Sequence, residues 1–295
     1  MRKTSVSAQL SRTARRFSTV IAPQLTKVEP IAVLQKHLKL IIQIADITMV
    51  QEAIKQFVLH NNRHFNPIEF EIRLPDISSS HSVGKSDSAI ILTAQFYADE
   101  IVLFEGTRRL VSISLSDACG SATADIQSPT SVNPFTFTSQ PVSTNNSIDS
   151  PINMGGFGTT LAKIRHPISG FKIFEIVEST QVGETHQSWI ISGMMDELNK
   201  CRVETHKNLW RQILAACGFS FANGQWWSIE HAGIRVAQIQ PLTACWAENG
   251  IQIEWAADAN NEIRLLALCF GVIQTVREAY PSLMHICMGK KKTII

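Results

Sequence analysis

His81, Asp87 and His231 carry the kinds of groups that hold zinc. A catalytic zinc needs imidazole nitrogens and a carboxylate as ligands, an open position for water, and a nearby carboxylate to take that water's proton. These residues lie far apart in the chain, so only folding can unite them, with Glu230 beside His231 as a further oxygen donor. Just upstream, QWWS at Gln225 to Ser228 offers only an amide and a hydroxyl. An amide does not take up a proton at neutral pH, and a serine hydroxyl is a poor zinc ligand. Cys119, in DACGSA, offers a second chemistry as a nucleophile, but the six cysteines are scattered without a Cys-x-x-Cys pair, which favours buried reduced thiols. GGFGTT at Gly155 to Thr160 lacks the Gly-Lys-Ser/Thr ending of a phosphate loop and reads as a flexible turn.

Two segments together resemble the zinc D-alanyl-D-alanine dipeptidase and carboxypeptidase family. In LPDISSSHSVGKSDS, Ser79, His81 and Gly84 match the family's Ser, His and Gly positions, while Ser88 stands at the Asp position and Asp87 lies one residue early. In GFSFANGQWWS, Gly218, Phe219, Trp226 and Trp227 follow the family's spacing, with Gln225 at the catalytic Glu and Ser228 at the third zinc ligand. INMGG is similar to the family's Asp-Met-Gly segment, with Asn153 in place of the Asp. The resemblance implies an α+β fold, an antiparallel sheet flanked by helices. It also implies a catalytically impaired relative that binds a short peptide or protein partner through Ser79, Trp226 and Trp227. An active zinc dipeptidase with a rewired site of His81, Asp87 and His231 stays open, as does a structural or assembly subunit. No cofactor is the leading expectation, with zinc as the alternative.

Positioning these residues falls to elements that the hydrophobic pattern marks out. Apolar spacing predicts helices over Ile31 to Ile42 and Ile47 to His60, the second with Val50, Ile54, Phe57 and Val58 on one face. β-rich runs follow at Ile68 to Leu74, Ala89 to Tyr97, Glu100 to Phe104 and Leu110 to Leu115. Later come a strand over Phe171 to Val177, a helix over His206 to Phe219, and strands at Trp226 to Ile229 and Ile234 to Ile239. A helix from about Ala259 to Tyr280 ends at Pro281, and its run LLALCFGVI has to be buried nearly all round.

The sequence divides into a basic leader over 1–30 and one domain over 31–295, with a Ser/Thr/Asn-rich insertion at about 120–158. Its 27 basic and 25 acidic residues, a net charge of +2, give no reason to expect nucleic acid as a partner. The longest apolar run is too short for a transmembrane helix, which takes about 20 residues. The leader has six basic residues and no acidic one before Glu29, so a mitochondrial location stands beside the cytoplasmic one.

Overall fold

The computed structural model describes residues 28–60, 62, 65–75, 89–115, 160–179, 187–193, 195–207, 225–242 and 250–288. Twelve strands dominate them. β1 (Lys39–Ile44) is followed by β2 (Ile68–Arg73), β3 (Ile90–Tyr97), β4 (Glu100–Glu105), β5 (Arg108–Ser114) and β6 (Thr160–Arg165). The second half contributes β7 (Lys172–Ser179), β8 (Ser188–Gly193), β9 (Cys201–Lys207), β10 (Gln225–His231), β11 (Ile234–Pro241) and β12 (Gly250–Trp255). Each pairs antiparallel with its neighbour in sequence, and β1 pairs with β12, so the sheet closes into a barrel. Closure runs from Lys39 opposite Glu254 to Gln43 opposite Gly250, so every described strand has a partner on both sides.

The inner wall follows from period-two patterning. Leu40 and Ile42 of β1, Phe70 and Ile72 of β2, Val203 of β9 and Trp227 and Ile229 of β10 are all buried. Such a wall in a twelve-strand barrel encloses more space than its own side chains fill, since eight strands already leave an interior just wide enough for them. The remainder is taken by α4 (Asn261–Gln274), whose residues from Ile263 to Gln274 are all buried. Phe270 packs edge-on against Trp189 of β8 and Trp227 of β10, and Gly271 faces Ile253 of β12 and Ile42 of β1. One helix thus touches strands on well-separated parts of the wall, which places it inside the barrel. Asn260 starts it by accepting a hydrogen bond from the Ile263 amide at 2.8 Å. A π-helical turn (Thr275–Ala279) and α5 (Pro281–Met288) follow.

The other helices are accessory: α1 (Ala32–Lys36), α2 (Ile47–His60) and α3 (Asp196–Asn199). Arg264 ties α1 to α4, donating to the carbonyls of Leu34, Ala257 and Ala259 at 2.6, 2.7 and 2.8 Å from a largely buried position.

The expected α+β sheet flanked by helices is therefore wrong. The strands form one closed all-antiparallel barrel, and the principal helix lies inside it rather than against a face. The apolar pattern over Ile31 to Ile42 also divides differently. It gives the short α1 and then β1, because KLIIQI supplies an alternating wall strand whose partners lie at both ends of the chain. His206 and Lys207 belong to β9 rather than to a helix, and the rest of that expected helix lies outside the described residues. The helices at Ile47 to His60 and beyond Ala259 form where their periodicity placed them. Among the described residues, no helix is long and apolar enough to cross a membrane.

Candidate functional site

The two tryptophans of QWW part company in the structure because neighbouring side chains on a strand point to opposite faces. Trp227 points inward and is 1% exposed, pressed against Phe270 with ring centroids 6.2 Å apart. Trp226 lies on the outer face, half-buried, stacked on His206 of β9 at 4.0 Å between centroids and 18° between planes. The strand register puts these two residues directly opposite each other. The guanidinium of the exposed Arg235, on β11, lies 6.0 Å from the Trp226 ring centroid. The imidazole covers one face of the indole, and with the guanidinium near the ring it makes a small amphipathic platform.

Ser228 lies one step along the same face, its Oγ 2.7 Å from His206 Nε2. A serine hydroxyl against an imidazole is the pair that acyl transfer uses, since the ring takes the hydroxyl proton as the oxygen attacks. Ser228 is only 1% exposed, however, and a nucleophile has to reach its substrate. The geometry instead satisfies a buried hydroxyl and holds His206 in place under Trp226. Beyond Ser228, Glu204 lies opposite it in the register and sits 3.4 Å from Arg202, which also donates to Ser188 Oγ at 3.1 Å.

A second cluster sits at the end of the barrel where α4 begins. His231 Nε2 lies 2.9 Å from Glu197 Oε2 on α3, within ion-pair distance. Lys200 bonds the other carboxylate oxygen of Glu197 at 3.0 Å. Lys200, and after it His231, hold the Glu197 carboxyl below the usual carboxylate range, opposed by partial burial. Glu262, in the first turn of α4, is pushed up by burial and by the Glu197 charge. Burial also raises the Cys201 thiol to about 11, with smaller contributions from both glutamates.

Of the residues singled out in the sequence, Gln225 opens β10 opposite Lys207, Trp226 and Trp227 take opposite faces, and His231 closes β10 beside Glu197. Ser79, His81 and Asp87 lie outside the described residues. Among the described residues, no group of three or more His, Cys, Asp or Glu side chains is placed to hold a metal ion. His206 and Arg235 went unrecognised in the sequence. The signal for His206 was the alternation in CRVETHK, where Cys201, Val203 and Thr205 point inward and turn His206 out.

No protein-family model matches the chain, and no curated protein or solved structure matches it either.

Proposed function

We propose that this chain is a binding protein that engages a short peptide or a partner segment on the outer face of β9 to β11, centred on Trp226. The observation that supports this reading is the half-exposed stack of Trp226 on His206 with the exposed Arg235 close to the indole. Aromatic and arginine side chains supply most of the energy in protein interfaces. The interior is the less suitable place for a partner of that size, because the chain's own helix runs through it. The chemistry of the platform selects a segment with an apolar or aromatic side chain for the indole face and a neighbouring carboxylate for Arg235.

An array of short peptides, followed by titration of those retained, tests the proposal. Retained sequences pair an aromatic or apolar residue with Asp or Glu, and Trp226→Ala lowers their affinity about tenfold or more, a loss of about 1.4 kcal/mol or more. Arg235→Ala weakens the acidic ones selectively. If nothing is retained, or binding is indifferent to both substitutions, the platform is not the site.

A further inference from the structure

Four polar atoms inside the barrel are buried without a hydrogen-bond partner among the described residues: Gln274 Oε1 and Nε2, Trp189 Nε1 and Thr205 Oγ1. Gln274 is fully buried, Trp189 is 1% exposed and Thr205 2%. An orphaned buried polar group costs about 1–3 kcal/mol, so several in one region call for a physical explanation. Their placement is not scattered. On α4 and the turn after it, Phe270 and Arg277 both meet Trp189, at 5.2 Å between ring centroids and at 6.0 Å from guanidinium to ring. Gln274 lies four residues after Phe270 on the same face of α4, and three before Arg277 in the chain. Thr205 is directly opposite Trp227, which also packs on Phe270, and Trp189 is opposite Val203, two residues from Thr205 on the inner wall. The helix changes to π geometry at Thr275, immediately after Gln274. Such turns recur at functional sites, where they widen the helix locally.

From this arrangement we infer an internal polar pocket between the end of α4 and the inner wall of β8 to β10, holding a small neutral guest. The guest is neutral because none of these four atoms belongs to a charged group, and Arg277 already has Glu278 at 3.4 Å. It is small because apolar residues such as Val203, Trp227 and Phe270 close in around it. It carries both a donor and an acceptor, since Trp189 and the Gln274 nitrogen donate while the Gln274 carbonyl accepts. Water satisfies all three conditions, and so does a small alcohol or carboxamide retained from the cell.

Two measurements on the full chain separate these sources and test the pocket. Nuclear magnetic resonance cross-relaxation between water and the Trp189 indole N–H, assigned with Trp189→Phe, appears if the guest is water. Mass spectrometry of an extract from the denatured protein shows a stoichiometric small molecule if the guest is organic. Finding neither overturns the inference. Gln274→Leu provides an independent arm, because its direction differs between a filled pocket and a dry orphan. With a guest present, the urea midpoint falls; a raised midpoint means the amide was unsatisfied and contradicts the pocket. Should Gln274→Leu not fold, Thr205→Val keeps the branched shape and removes only the buried hydroxyl, with the same two readings of its midpoint.

Discussion

Ala232 shows how a single residue can work against the fold that contains it. The turn between β10 and β11 needs positive φ at both central positions, and Ala232 adopts 50° beside Gly233 at 81°. An L-residue with a Cβ is disfavoured there by roughly 1–2 kcal/mol, whereas asparagine tolerates it. Ala232 is exposed, so Ala232→Asn disturbs little else and raises stability by up to about 1 kcal/mol in urea unfolding. No gain would mean the turn relaxes without strain. The buried thiols make a second residue-scale prediction. Burial raises Cys201 to about 11 and shifts Cys269 further in the same direction. Both are therefore protonated and inert to iodoacetamide near pH 8 until denaturant is added, as peptide mapping can show. The linkage follows: a thiol raised in the fold contributes stability that is present below its ordinary value and is lost as pH climbs toward about 11. Alkylation of Cys201 in the native protein would contradict its burial.

At the scale of elements, Arg264 matters most. Its fork serves three carbonyls from two segments while lying 6.0 Å from the Trp255 ring, so it fastens α1 and the chain before α4 to the barrel helix. A lysine keeps the charge but cannot reach all three acceptors in fixed geometry. Arg264→Lys therefore lowers stability by roughly 2–4 kcal/mol, and a loss within 0.5 kcal/mol would show that the carbonyls find other partners. Elements also show where sequence reading succeeds. The helix Ile47–His60 was legible because its apolar residues recur on one face, and Asp46 caps it by accepting from the Thr48 amide. The helix carrying LLALCFGVI was legible by its all-round apolarity. By contrast, β1 was hidden inside a run that also fits a helix, because KLIIQI is short and its partners lie in β2 and β12. β6, β8, β9 and β12 also went unrecognised: each is only six or seven residues long and becomes a strand by pairing with its neighbours in the barrel.

The whole molecule turns on one long-range pairing. Closure joins β1 to β12 across most of the chain, a relation that local periodicity does not encode, and so the barrel was not foreseen while its strands partly were. The apolar helix held the missing clue, since a helix buried on every side must be surrounded, and here the sheet does the surrounding. The candidate site was legible to a similar extent. Trp226 was singled out, but its partner His206 depends on the register of β9 against β10, and the same register sends Trp227 inward. This division of the tryptophans is the reason the proposed binding face lies on the outside of the barrel. Hydroxyl-radical footprinting of the six tryptophans, with and without a saturating array-selected peptide, tests that placement directly. The account predicts that Trp226 is modified in the free protein and protected in the complex, while Trp189 and Trp227 stay unmodified in both. Unchanged modification of Trp226 on saturation, or a change confined to Trp189 and Trp227, would contradict it.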